Sequence, residues 1–534
     1  MLSNKQVTYL PAANPPSAGR RQPRRGTEED MGVTGLFERG ASLYADRTCF
    51  IEGERRRSYA QVRAERDRIA GLLRAAGLAA GDKVALLSPN SIEAFEFMFA
   101  VYRAGLVFVP LSATAPSSEH RHILDHCEVA AIGVHPDLAE GAEALRTQCP
   151  ALRHVFTLGA MTGEGTAPEP LREDCESVVS IYSTGGTTGL PKGVEFTSLT
   201  WEAMSANFLA SLPVASPPVY LVSTPMTHAS GTISVPLFAL GATVVILPAF
   251  SPRETLDAIE RHRVSHLWLP PTAIYMLLEE PALRERDLAS LECFMYSAAP
   301  MAVAKLRKCL EVFGQVMVQI WGQTEAPCFC TCLTQAEHEP ASAERSHRLE
   351  SCGRPMLFSP VAILDDDGRE LPRGELGELA VTGNLVMRGY HRNEQATAET
   401  IVDGWLRSGD IGYQDEDGYI YIVDRKKEML ISGGYNVYPA EVEKVILSHP
   451  MVQDCAVIGI PDEKWGEAVT AVVELPRHGN VSEREIIALC REQLGAIKTP
   501  KSVKFRDTLP RTPVGKVDRK AIRAPYWEGI SRKV

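Results

Sequence analysis

Between residues 81 and 111 apolar runs alternate with a helical period. "KVALLSP" is a short buried-strand pattern. In "NSIEAFEFMFAVYRAG" Ile92, Phe95, Phe99 and Tyr102 recur at helical spacing, and Gly105 supplies the stop. "LVFVPL" reads as a second strand, so the stretch predicts a βαβ unit and a largely parallel sheet. The pattern returns in "ATVVILP" (242–248), the helical "PRETLDAIERHRV" (252–264) and "SHLWLP" (265–270). After about residue 350, "VAILDDDGRELP" and "GYQDEDGYIYIVDR" set Asp-Gly pairs beside alternating apolar positions, a tight-turn signature. Beyond Asp424 come helix "AEVEKVILSH", strands "DCAVIGI" and "EAVTAVVEL", and helix "EREIIALCREQL". The expected fold class is α/β: a large domain over 31–424 with βαβ-built sheets, and a small α+β domain over 425–534. The charged run "DRKKE" (424–428) is the candidate hinge. Residues 1–30 are expected to be a disordered extension, because "LPAANPPSAG" interrupts any amphipathic helix.

Composition narrows the function. The 534 residues are 45% apolar and 23% charged with a net charge of −11, which disfavours nucleic acid held by bulk electrostatics. The most apolar long stretch, 92–111, carries Glu93, Glu96 and Arg103, so no transmembrane segment is predicted. Twelve cysteines without a secretory signal suit the reduced thiols of a cytoplasmic enzyme. Cys328, Cys330 and Cys332 alternate and would share one strand face. Without a C-x2-C pair they read as pocket or core lining rather than a zinc site.

The chemistry concentrates in "YSTGGTTGLPKGV" (182–194), where glycines, hydroxyls and one lysine form a phosphate cradle. A Walker A loop needs Gly-Lys-Ser/Thr, whereas Lys192 here follows Leu190-Pro191. The segment resembles the signature loop of the adenylate-forming superfamily, with Gly185 where Ser is common. The resemblance continues in order through "PMTHASG" (225–231), "YSAAP" (296–300), "WGQTE" (321–325), "WLRSGD" (405–410), "DRKKEMLISGGYNVYPAEVE" (424–443) and "PRTPVGKVDRK" (510–520). It spans residues 40 to 523 and points to the acyl-CoA synthetase type.

That resemblance implies a ligase joining a carboxylic acid to ATP and then to coenzyme A, with Mg2+ as cofactor. Thr184, Gly185, Gly186, Thr187, Thr188, Gly189 and Lys192 would hold the β- and γ-phosphates. Glu325 would hold Mg2+, and Thr324 would donate to the α-phosphate. Trp321, Gly322 and Gln323 would lie at the adenine beside Ser297, Ala298 and Ala299, and Asp410 would accept from the ribose near Arg425. Lys516 would bridge the attacking carboxylate and the α-phosphate. In this family the small domain is mobile: it turns about a hinge, here Lys427, and admits pantetheine past Gly433 and Gly434. The acid would meet His228, Tyr275, Met276, Ala326, Pro327 and Cys328. These residues include no cation for a second carboxylate, so a hydrophobic monocarboxylate is expected.

Rival readings remain at this stage. An adenylating enzyme could load a carrier protein, although no carrier domain follows Lys520. Amino-acid activation is disfavoured because "STPMTHASGTISV" contains no acid to hold an α-amino group. A luciferase-type oxygenase is weakly disfavoured, and a binding-only pseudoenzyme conflicts with the presence of Lys516, Glu325 and Thr324. A homodimer stays open.

Overall fold

The computed structural model describes residues 32–169, 175–184, 191–212, 214, 217–338, 343–476, 479–511 and 517–528. The expected extension over 1–30, the loop residues 185–189 and Lys516 lie outside these residues.

The predicted βαβ unit forms: strands Lys83–Leu87 and Val107–Leu111 pair in parallel around helix Ile92–Arg103. The Ser91 hydroxyl caps that helix by accepting from Ala94 N at 3.1 Å, and Gly105 leaves it at φ 66°. Burial is all-round rather than on one face. Phe97, Met98, Ala100 and Val101 are as covered as Ile92, Phe95, Phe99 and Tyr102. The reason is layering, since the helix lies in the core shared by two sheets.

One sheet has nine strands and the other seven. Alternate residues of the nine-stranded sheet, among them Tyr220, Val222, Val244 and Ile246, share the inner core with Val84, Leu86 and Phe108 of the other sheet. The intervening positions Leu221, Val245, Leu267 and Leu269 face outward against helices Pro252–His262, Pro271–Glu279 and Val303–Phe313. On the far side Ala85, Leu87, Val107 and Val109 meet helices Ser117–His126 and Ala139–Arg146. The layers therefore run α-β-α-β-α. Strands Thr243–Ile246 and His266–Leu269 do not pair with each other; Val219–Val222 lies between them, parallel to both.

The two Asp-Gly stretches are turns of an antiparallel five-stranded sheet, with Gly368 at φ 85° and Gly418 at φ 86°. After Arg425 a separate sheet forms from Leu430–Ser432, Tyr435–Val437, Asp454–Asp462, Gly466–Glu474 and Ser502–Arg506. Helices Pro439–Leu447 and Glu483–Lys498 close its own core around Val442, Ile446, Ile486 and Cys490. Among the described residues no helix is long and apolar enough to cross a membrane.

The inner core carries one costly group. Glu96 is 3% exposed, its Oε1 lacks a hydrogen-bond partner, and Arg57 Nε stands 3.8 Å away. Burial pushes its carboxyl up to about 8, against the pull of Arg57. Above the ordinary carboxylate range the unfolded chain releases this proton while the folded chain keeps it. Stability is thus lost as pH rises toward 8, by up to about 1.4 kcal/mol per pH unit. Glu96→Gln should leave stability at pH 4.5 nearly unchanged and raise the urea midpoint at pH 8. Parallel pH profiles for both proteins would sink this account.

Candidate active site

Thr184 and Lys192 form the base of the glycine-rich loop. Thr184 N donates to Lys192 O at 2.9 Å, and Lys192 N donates to Thr184 Oγ1 at 3.2 Å. The base stands at the end of the antiparallel strand pair Val178–Ser183 and Gly193–Thr197. The His122 imidazole lies 3.0 Å from Pro191 O and steadies the returning limb.

Thr324 and Glu325 are the two-residue tip of a hairpin, because Gln323 pairs with Ala326. The hairpin joins Met317–Gln323, parallel to its inner neighbour, to Ala326–Leu333. Gly322 is required sterically: a Cβ there would stand 2.7 Å from Cys328 N and 2.8 Å from Ala326 O. The strand distorts in response, and Cys328 takes φ 61°. Glu325 Oε1 accepts from the Tyr390 hydroxyl at 2.7 Å. The Lys192 ammonium lies 3.8 Å from the centre of the same tyrosine ring. Burial lowers the Lys192 pKa and Lys427 lowers it further, while Glu325 opposes. Thr184, Lys192, Glu325, Tyr390 and Lys427 are thus one polar neighbourhood. The Glu325 carboxylate beside a lysine suits Mg2+, which binds one or two carboxylates plus substrate phosphates and keeps several waters.

A second group lies along the same hairpin. Trp321 Nε1 donates to Asp410 Oδ2 at 3.0 Å, and Arg425 Nε approaches Asp410 Oδ1 at 2.7 Å. Asp410 is buried on strand Trp405–Gln414, opposite Arg425 in register. The indole edge is locked by a carboxylate, which sets the plane of the ring. At the neighbouring turn Trp268 Nε1 donates to Ser297 Oγ at 2.8 Å, and Ala298 takes φ 75°. The left-handed region costs a residue with a Cβ about 1–2 kcal/mol.

His228 precedes helix Ala229–Phe238, and burial lowers its pKa, so the ring stays neutral at pH 7. Thr232, one turn on, donates to His228 O at 3.0 Å. Tyr182 adjoins both Thr232 and the Cys328 thiol. Burial raises that thiol to about 12, which removes it as a nucleophile. Ala326 and Pro327 are buried on the same strand. Cys330 and Cys332 belong to the same inner core that Cys328 packs against. Tyr275 is elsewhere: its hydroxyl accepts from Ala302 N at 3.3 Å, on a helix of the outer layer, and Met276 is 51% exposed. The helix packs Ile274 and Leu277 into the outer core while Cys328 packs against the inner one, a placement that the helical period of "PPTAIYMLL" could not indicate.

The segment 424–428 is held from both sides. Lys426 Nζ reaches Asp366, in a turn of the antiparallel sheet, at 2.9 Å and Glu378, on one of its strands, at 3.3 Å. Glu428 pairs instead with Arg519, which also grips Glu443 on helix Pro439–Leu447. Asp424 accepts from Ala440 N at 2.8 Å, and burial raises its carboxyl to about 7. Gly433 and Gly434, at φ 60° and 82°, form a two-residue turn between paired Ser432 and Tyr435. The indole of Trp465 packs where a Cβ on Gly433 would stand, and the Lys464 and Lys501 ammoniums lie 4.9 and 4.8 Å from its ring centre. Tyr390 and Trp465 escaped the sequence reading because neither belongs to a motif whose residue types declare a role, and Tyr182 escaped it because it opens the glycine-rich stretch without being one of its glycines, hydroxyl donors to phosphate or lysine.

A family model for AMP-binding enzymes matches residues 37–391, and one for the AMP-binding enzyme C-terminal domain matches 441–516. The chain is 37% identical over 485 residues to a medium/long-chain-fatty-acid–CoA ligase, FadD8, of Mycobacterium tuberculosis, covering 86% of this chain and 84% of that one. It is 36% identical to a feruloyl-CoA synthase of an Amycolatopsis species, over 93% of this chain and 99% of the relative. Among solved structures, the amide bond synthetase McbA from Marinactinospora thermotolerans superimposes with a TM-score of 0.85. It is 32% identical and covers 92% of this chain and 100% of its own.

Proposed function

The chain belongs to the AMP-binding enzyme family of AMP-forming ligases, and on that premise we propose that it is a carboxylic acid–CoA ligase for hydrophobic monocarboxylates. The acid carboxylate attacks the α-phosphorus of ATP, and pyrophosphate leaves. The coenzyme A thiol then attacks the acyl carbonyl, and AMP leaves. Two anions must meet in the first step, a repulsion of about 4 kcal/mol at 4 Å and an effective dielectric of 20. Thr184, Lys192 and the loop between them hold the outer phosphates, the Thr324 hydroxyl donates to the α-phosphate, and Lys516 bridges the attacking pair. Glu325 would hold Mg2+, whose charge would supply further neutralisation of the phosphates. Trp321 lies against adenine with its plane set by Asp410, which also faces the ribose beside Arg425.

The observation that carries the acid class is the uncharged surroundings of His228. Its imidazole is neutral, Cys328 is protonated, and Tyr182 and Thr232 offer only hydroxyls. An apolar body fits there and a second carboxylate does not; fatty, aromatic and alicyclic acids all satisfy this. Coenzyme A as acceptor is supported by Trp465 between two lysines beside Gly433, a stacking plane flanked by charges for a nucleotide phosphate. We place the hinge at Lys427, between Lys426, tied to Glu378 of the antiparallel sheet, and Glu428, tied to Arg519 of the small domain. The domains then run 31–424 and 425–534, and the Asp424–Ala440 contact parts when the small domain turns.

A panel of fatty, aromatic, alicyclic and dicarboxylic acids, assayed with ATP and free coenzyme A for both AMP and thioester, tests the proposal. Hydrophobic monocarboxylates should give both products. A dicarboxylate favoured by about a hundredfold, roughly 2.7 kcal/mol, would overturn the pocket reading. Pyrophosphate release without thioester would move the acceptor to a carrier protein.

A further inference from the structure

Lys192 and Glu325 are close enough for the carboxylate to raise the lysine's proton affinity, yet they form no direct ion pair. An ammonium and a carboxylate left adjacent in a half-buried site would ordinarily close on each other. Tyr390 stands between them. Its hydroxyl donates to Glu325 Oε1 at 2.7 Å, and its ring centre lies 3.8 Å from the Lys192 ammonium. We propose that Tyr390 is a positioning residue that keeps this ion pair open, holding the carboxylate by its hydroxyl and the ammonium by its ring face. Each charge then stays available to the nucleotide instead of neutralising the other. The inference rests on the ligase reading for what Lys192 and Glu325 bind, and on geometry alone for the spacer.

The tyrosine is built to hold this place. It is 7% exposed. Its strand, Gly389–Tyr390, pairs with Val194 and Glu195 just beyond the glycine-rich loop, and Tyr390 N donates to Thr397 Oγ1 at 2.9 Å. Next to it, His391 N donates to Gly193 O at 2.7 Å, while its ring lies 2.8 Å from Glu195 Oε1. The Met387 N–H donates to Glu325 O at 2.8 Å, which ties the hairpin tip to the same segment. Burial and the adjacent carboxylate both raise the phenol's pKa, so it remains a proton donor at working pH. The ring contact is a cation–π interaction of about 0.5–2 kcal/mol.

Two variants separate the functions of the side chain. Tyr390→Phe keeps the ring and removes the hydroxyl; Tyr390→Leu removes both and lets the ion pair close. Equilibrium binding of ATP, measured by calorimetry with excess EDTA and again with Mg2+, reads the result independently of the acid. Tyr390→Phe should bind ATP normally in EDTA but lose about tenfold of the Mg2+ enhancement. Tyr390→Leu should bind about tenfold more weakly in both conditions. Glu325→Gln added to Tyr390→Leu should restore part of the EDTA affinity, because the closed ion pair can no longer form. If the two tyrosine variants behave alike, or the added Glu325→Gln restores nothing, Tyr390 is not a spacer. Nucleotide binding by the unaltered protein tests the ligase reading itself, and the differences between variants test the tyrosine.

Discussion

Lys516→Ala is expected to lower acid-dependent pyrophosphate–ATP exchange by about 10²–10³-fold, the usual consequence of removing one preorganised group from a developing anionic centre. Thioester formation from a supplied acyl-adenylate should stay within about twofold, because that step contains no anion-on-anion encounter. The stem of the loop carrying Lys516 is anchored firmly. Arg511 and Val517 bridge across it, and Asp518 N donates to Pro510 O at 2.8 Å. On one side Arg511 reaches Asp454 at 2.9 Å, and on the other Arg519 grips Glu443 and Glu428. On the proposed hinge at Lys427 this stem would turn with the small domain. Lys516→Arg should recover only part of the loss, since a planar fork cannot occupy the position of a point charge. Equal loss in both half-reactions would mean that the lysine serves the fold rather than adenylation.

The opposite pattern is expected for Gly434→Leu: thioester formation falls by about a hundredfold while exchange is retained. A Cβ at Gly434 would meet nothing within 4 Å, so added bulk projects into open space beside the turn. The glycine itself has a second explanation, because both turn residues have positive φ, the requirement of a type I′ hairpin. Gly434→Ala separates the two. Alanine meets the same backbone cost, about 1–2 kcal/mol, but adds almost no bulk. If alanine and leucine impair the thiol step equally, turn geometry accounts for the effect and no thiol passes there.

The strand and helix pattern of 81–111, the Asp-Gly turns and the α+β tail were legible because each rests on interactions between residues a few positions apart. The motifs were legible in order along the chain, and the structure gathers Lys192 and Glu325 around Tyr390, with Thr184 bonded to Lys192, and Trp321 and Arg425 around the Asp410 carboxylate. The pocket list was less legible. Tyr275 and Met276 lie on helix Pro271–Glu279, whose Ile274 and Leu277 pack on the outer side of the sheet, whereas Tyr182 lies beside Thr232 and Cys328. Helical period tells which residues share a face; it cannot tell which side of a sheet that face meets.

By itself, then, the chain's order of residues determined the class of the elements with a clear period, the turns that need glycine and the residue types available for phosphate chemistry. These depend on local backbone energetics and on the functional groups present, which the fold tunes but does not supply. Tertiary structure alone decided that Tyr390 separates Lys192 from Glu325, that Asp410 holds the Trp321 indole, and that Glu96 is buried without an adequate partner. Such contacts join residues far apart in the chain, and their energies exist only after the layers have packed and excluded water.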